Sequence, residues 1–268
     1  MNYNLMKIYL SWIQILFPRH ENLVIDYGLV SFADVWNEKP FITNWWKIND
    51  LFLDSWWFAI RTRWLKLSVV DYAKYIQKYG NMYNVIANMD TKNVEETLKN
   101  QHFLEKETGK TITPIYHADE FIQWNHKLLE DYCANYDYVA LWWIAGGSFK
   151  KNIIEKYYNF CFKVWMKYKT KFHWFGVTTD FFLKRYPFYS VDSTTWLSAG
   201  KFMRIPYFKN GRLYDYNPKY FHDQGISPWS PWQAQKRLRM WYQAWLKYGQ
   251  FLDEYWKLRW PNYREMNT

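Results

Sequence analysis

Four side chains able to move a proton or attack carbon stand where short apolar runs end. Asp54 follows Leu51-Phe52-Leu53, Asp90 follows Val85–Met89, His117 closes Ile112–His117, and Asp192 follows Phe188–Val191. Ser55 and Ser193 come directly after two of the aspartates. Carboxylates gathered at one rim suit chemistry at a C–O or C–N glycosidic centre: one attacks the anomeric carbon while another manages the proton. Taken singly, each Asp has a plainer use, capping a helix or pairing with a neighbouring Lys or Arg. A lone histidine such as His117 or His173 is more often a hydrogen-bonded structural residue than a catalyst. Context has to decide.

The elements that would position these residues follow from hydrophobic periodicity. Short apolar runs recur between longer amphipathic stretches, the pattern of βα units on a parallel sheet. Eight runs read as strands: Lys7–Ser11, Leu23–Tyr27, Leu51–Ser55, Val85–Met89, Ile112–His117, Tyr138–Ile144, Phe172–Val177 and Phe188–Asp192. Helices are expected over Ser68–Tyr79, Val94–Thr108, Ala118–Tyr132, Lys150–Lys169 and Thr179–Arg185, with Val30–Asp50 as a loop plus helix. Eight parallel strands with intervening helices imply an α/β fold, a (β/α)8 TIM barrel whose reactive residues face out at the strands' carboxy ends. Residues 1–205 form that barrel. Residues 206–268 read as loops followed by a basic, aromatic helix from about Trp232 to Leu258, a C-terminal helical extension packed on the barrel.

Composition sets outer bounds. A chain of 268 residues, half of them apolar, fits one large domain of barrel size. The formal charge of +10 favours polyanionic partners and says nothing about fold. Cys133 and Cys161 can supply neither a four-ligand zinc site nor a disulfide framework, so no metal and no cofactor is expected, and a cytoplasmic location is the default. The apolar start, Leu5–Phe17, runs into Pro18-Arg19-His20-Glu21 without a small-residue cleavage site and reads as a buried first strand followed by a helix. No stretch approaches a membrane span. One imbalance stands out: 19 Trp against 10 Gly, about 4% glycine where ~7% is usual.

Five segments together resemble the guanine transglycosylases of the queuine/archaeosine type. Leu53-Asp54-Ser55-Trp56-Trp57-Phe58 is similar to their Asp-Ser-Gly-Gly/Ala-Phe signature, and Ile86-Ala87-Asn88-Met89-Asp90 to the strand ending at a base-reading aspartate. Ala140–Gly147 resembles their Gly-Gly-Leu/Ile-Ala strand end, and His173-Trp174-Phe175-Gly176-Val177 their His-x-x-Gly-Val strand. Ser190-Val191-Asp192-Ser193 falls where the family places its nucleophile. The segments span residues 7–205 in the family's order, and the opening Lys7–Ser11 with the compact length looks most like phage DNA-modifying members.

The resemblance implies exchange of guanine in nucleic acid for a 7-deazaguanine, with DNA favoured over tRNA as substrate and the host cytoplasm as location. Asp192 would be the nucleophile and Asp54 the general acid or base. Ser55, Phe58, Asp90, His117, Trp142, Trp143 and His173 would line the substrate site, Asp90 reading the base and Trp142 and Trp143 lending backbone groups to its far edge. Many family members carry a zinc site after the barrel and dimerise through the barrel. This chain has no cysteine there, so the zinc site is absent, while a homodimer stays open. A tRNA enzyme, or an inactive barrel that binds nucleic acid by charge, is the alternative.

The departure from the family is systematic, because Trp stands where it has Gly: at 56, 57, 142, 143 and 174, and less directly at 12 and 64. Glycine serves where a backbone or ligand approaches closely or the dihedrals exclude a Cβ. Two explanations compete: a divergent, aromatic-rich and inactive relative, or codons that specify glycine. UGA means Trp in some genetic codes and Gly in others. With indoles at these positions, no base exchange is expected.

Overall fold

The computed structural model describes residues 6–13, 24–36, 48–55, 67–91, 93–142, 151–177, 179–194, 205–216 and 231–259. The chain is α/β, and eight strands belong to one all-parallel sheet flanked by helices. These are β1 (Lys7–Ser11), β2 (Ile25–Ser31), β3 (Ile48–Asp54), β4 (Val85–Ile86), β5 (Ile115–His117), β6 (Tyr138–Trp142), β7 (Lys171–Trp174) and β8 (Ser190–Ser193). The helices are α1 (Phe32–Val35), α2 (Val69–Tyr79), α3 (Val94–Thr108), α4 (Ala118–Ile122), α5 (His126–Asn135), α6 (Lys151–Tyr168), α7 (Asp180–Leu183) and α8 (Pro231–Arg259). Two compact units divide the chain, Ser11–Phe175 and a second made of Met1–Leu10 with Gly176–Thr268. Among the described residues no helix is long and apolar enough to cross a membrane.

In the unit Ser11–Phe175, β2, β3 and β4 pair in parallel, Ser31 lying opposite Asp54 and Leu53 opposite Ile86. β5, β6 and β7 do the same. A single parallel bridge, Ala87 to Thr113, links the two sets through Asn88 N–H to Thr113 O (2.9 Å) and Thr113 N–H to Ile86 O (2.7 Å). β3 and β7 are therefore four strand steps apart, roughly 19 Å in a flat sheet. Yet the rings of Phe52 on β3 and His173 on β7 lie 4.5 Å apart, and both touch Phe175 and Tyr138. Only a strongly curled sheet brings those faces together, and the aromatic cluster fills its concave side.

Helices cover the other face with sequence-encoded ends. Ser68 caps α2: its Oγ accepts from Asp71 N–H, while the Asp71 carboxylate accepts from Ser68 N–H at 2.9 Å. That reciprocal pair satisfies two donors the first turn would otherwise leave open, and holds the Asp71 carboxyl below its ordinary range. From α2, Tyr72 donates its hydroxyl to Ala87 O at 2.9 Å, and Tyr75 meets Tyr83 at 2.6 Å. Asn93 caps α3 by accepting from Glu96 N–H.

In the other unit β1 pairs with β8, Tyr9 opposite Asp192. A hairpin follows, β9 (Ile205–Lys209) and β10 (Arg212–Tyr216), where the sequence reading expected only loops. Its turn is Asn210-Gly211, both in the left-handed region at φ 49° and 73°, the two-residue turn whose twist suits a hairpin. Phe208 packs on Tyr248 and Phe251 of α8, while Tyr248 bonds Asp180 at 2.7 Å and Trp256 donates to Leu183 O at 3.0 Å.

Two further expectations need correction. The stretch Val30–Asp50 is not loop plus helix throughout: Val30–Ser31 ends β2, Ile48–Asp50 begins β3, and only Phe32–Val35 is helical among its described residues. The helix expected over Ala118–Tyr132 is two helices broken at Gln123–Asn125.

The ring cluster gives a direct expectation. Phe52→Ala should lower the free energy of unfolding by ~3–5 kcal/mol, read as a drop in the urea midpoint. A loss under about 1 kcal/mol would mean that the cluster does not hold the curl.

Candidate functional site

Parallel strands put all their carboxy ends on one side of a sheet, and the candidate residues lie there: Asp54 ends β3, His117 ends β5, Trp142 ends β6 and Asp90 follows β4. The segment carrying Asp90 is pinned from both sides. Asn88, wholly buried, donates to Thr97 O at 3.0 Å, and Asn100 donates to Met89 O at 2.8 Å. Thr91 N–H donates to Thr97 Oγ1 at 2.9 Å. Asp90 therefore sits on backbone fixed against α3.

His117 closes the arrangement. Its Nε2 lies 2.8 Å from Asp90 Oδ2, an ion-pair distance once the imidazole is protonated. Burial works against that proton, but the Asp90 carboxylate, helped by Glu120, outweighs it and raises the His117 pKa above its usual value. Glu120, one turn into α4, accepts the backbone N–H of His117. It is 5% exposed, and burial pushes its carboxyl up to about 7, against the lowering effect of His117. Glu120 went unnoticed in the sequence. Its signal was the His117-x-x-Glu120 spacing of a capping box, masked by a histidine at the position where Ser or Thr is usual.

Asp54 belongs to the same neighbourhood. The Tyr72 phenol is raised well above its ordinary pKa first by complete burial, then by the carboxylates of Asp54 and Asp90. Asp54 ends β3 and Asp90 follows β4, so both acids stand at the carboxy ends of neighbouring parallel strands in this unit. Ser55, wholly buried beside Asp54, and Ser31, opposite it in register, hold hydroxyls that no group among the described residues bonds. A buried hydroxyl left in this state costs stability unless a ligand or water satisfies it. The Trp142 indole lies 5.0 Å from the His117 ring. His173 is wholly buried in the aromatic cluster. Phe58 and Trp143, also expected at the site, lie outside the described residues.

In the second unit, Asp192 is the third residue of β8 and 7% exposed. Gly176 N–H donates to its Oδ1 at 2.7 Å. Gly176 has φ +70°, a conformation that aims the amide and that L side chains rarely adopt. The hydrogen bond orients the carboxylate.

Other reactive types are unsuited to chemistry. Burial raises the thiols of Cys133, up to about 12, and Cys161, so neither forms a thiolate near neutral pH. Among the described residues no group of three or more His, Cys, Asp or Glu could hold a metal ion.

The buried acid–imidazole pair fixes a pH dependence. Glu120 and His117 both bind a proton more tightly folded than unfolded, so each stabilises the fold below its unfolded pKa and loses that contribution as pH rises through the folded one. Stability should therefore fall from about pH 4.5 to about 7 through Glu120, and from 6.5 upward through His117. Glu120→Gln keeps the acceptor for His117 N–H and should remove the first part of the slope, on the order of 2–3 kcal/mol. Denaturant titrations at stepped pH read this, and an unchanged slope in the variant would contradict the pairing. No family model, curated protein or solved structure matches the chain.

Proposed function

We propose that this protein, when made with glycine where its family has glycine, is a guanine transglycosylase that exchanges guanine in nucleic acid, DNA in the first instance, for a 7-deazaguanine. The observation that carries the reading is, in one unit, Asp54 and Asp90 at the carboxy ends of parallel strands with Asp90 ion-paired to a buried histidine; in the other unit Asp192 lies on β8. The fold belonging to this proposal is a closed (β/α)8 barrel. The curl forced by Phe52 and His173, and the Ala87–Thr113 bridge, support closure.

The chemistry needs two carboxylates with different tasks. Asp192 attacks C1′ of the target nucleoside, a C1′–O bond forms, and the bond from C1′ to guanine breaks. Asp54 gives a proton to the departing guanine and takes one back from the ring nitrogen of the incoming base. That nitrogen then displaces Asp192 from C1′, and the enzyme returns to its starting state. Asp90 accepts from N1–H and the exocyclic amine of the base, two parallel donors that match a carboxylate's two oxygens. His117, 2.8 Å from Asp90 Oδ2, holds the plane of that carboxylate. The Ser55 hydroxyl gains in the ligand the partner it lacks among the described residues. In a duplex the target nucleotide has to be extruded for C1′ to be reached. The charge of +10 suits a polyanionic substrate.

Nucleoside mass spectrometry of DNA and tRNA from cells with and without the gene tests this. A 7-deazaguanine nucleoside should appear only with the gene, in DNA under the first reading and in tRNA under the second. Asp192→Asn should lower exchange by more than about a thousandfold and leave nucleic-acid binding intact. Exchange that survives the substitution would overturn the mechanism. Binding without any base change would favour an inactive, charge-driven binder.

A further inference from the structure

Seven described residues occupy the left-handed region of backbone space: Gly109, Gly176, Gly211, Asn210, Lys169, Trp12 and Trp124. Glycine is at home there and asparagine is tolerated, but a bulky side chain at φ > 0 is an outlier. Two tryptophans in such a short set is anomalous in a chain with about 4% glycine.

Trp124 shows what its backbone requires. Helix α4 ends with Trp124 N–H donating to Phe121 O at 3.1 Å and Asn125 N–H donating to Glu120 O at 2.9 Å. That pair of bonds is the Schellman helix end, and the residue at its left-handed position, here φ +61°, is usually glycine. Helix α3 ends the same chain's other way: Gly109 stands at φ +64° and donates to Glu105 O at 2.9 Å. The Trp124 side chain buries little, being 82% exposed. Trp12, at φ +64°, follows β1 in the same backbone state.

Trp174 is anomalous in another way. It is wholly buried, and its ring centroid lies 3.7 Å from that of Tyr158. Aromatic pairs keep ~4.5–7 Å between centroids, so the indole is overpacked. By contrast Trp165, Trp241, Trp245 and Trp256 lie within helices α6 and α8, are nearly or wholly buried, and their ring neighbours among the described residues include Phe162, Tyr248 and Tyr255 at 5.5–5.8 Å.

We infer that the polypeptide made in its source cells carries glycine at positions 12, 124 and 174, from UGA codons that those cells read as glycine. Tryptophan at 165, 241, 245 and 256 is genuine, specified by UGG. These seven tryptophans thus fall into two classes, separated by backbone dihedral or packing. This inference stands on backbone geometry and is independent of the base-exchange reading.

Peptide mass spectrometry of the protein isolated from its source cells, read beside the gene's codons, tests it. The peptides covering 12, 124 and 174 should each be lighter by the difference between a tryptophan and a glycine residue, and those covering 165, 241, 245 and 256 should carry tryptophan. Tryptophan at 12 or 124, or glycine at any of the four helical positions, would overturn the inference. A recombinant pair gives a second readout: Trp124→Gly should raise the thermal midpoint of the chain and Trp165→Gly should lower it. A lower midpoint for Trp124→Gly would contradict a glycine-type helix end. Neither measurement uses enzymatic activity, so a chain that exchanges no base leaves the result as it is.

Discussion

The contact between the Phe52 and His173 rings is the constraint on which the larger unit depends. Strands four steps apart cannot touch at 4.5 Å unless the sheet between them bends, and every pairing between β2 and β7 accommodates that bend. The curl has a chemical consequence. It turns a row of parallel strand ends into a concave rim, so residues distant in sequence, such as Asp54, Asp90 and His117, share one neighbourhood. Aromatic packing on the concave side and the gathering of titratable groups at its rim are thus two results of one geometry.

The rim is electrostatically tense. Burial opposes charge on both Glu120 and His117: His117 offsets part of it for Glu120, while Asp90, with Glu120 and Asp119, offsets it for His117. Such groups are expensive to keep unless geometry is fixed. The pinned segment Asn88–Thr91 and the backbone bond from His117 to Glu120 supply that fixity. A purely structural ion pair would also need them, yet the unbonded hydroxyls of Ser31 and Ser55 beside Asp54 have no structural use in the described residues. Unsatisfied donors next to a fixed carboxylate are what a polar ligand completes.

Much of the scaffold was legible because its signals are local. Lys7–Ser11 and Val94–Thr108 have the bounds that apolar runs and caps predict, and the other seven strands and four of the helices differ at their ends only. What escaped depends on dihedrals or long-range contact. The β9–β10 hairpin was marked by Asn210-Gly211, but its flanking residues alternate weakly and are stabilised by α8. The break at 123–125 carries tryptophan where glycine would have announced a helix end. Glu120 was hidden because its partner at the helix start is a histidine. Each miss concerns a residue whose role is set by a neighbour distant in kind or in sequence.

Whether the chain does covalent chemistry comes down to the carboxylate that Gly176 orients. The decisive measurement is proteolysis and mass spectrometry of the protein from its source cells after acid quenching during incubation with a guanine-containing oligonucleotide. The account predicts a pentosyl adduct on the peptide that contains Asp192. Base exchange proceeding with that peptide unmodified, or with the sugar attached to Asp54 or Asp90 instead, would contradict it.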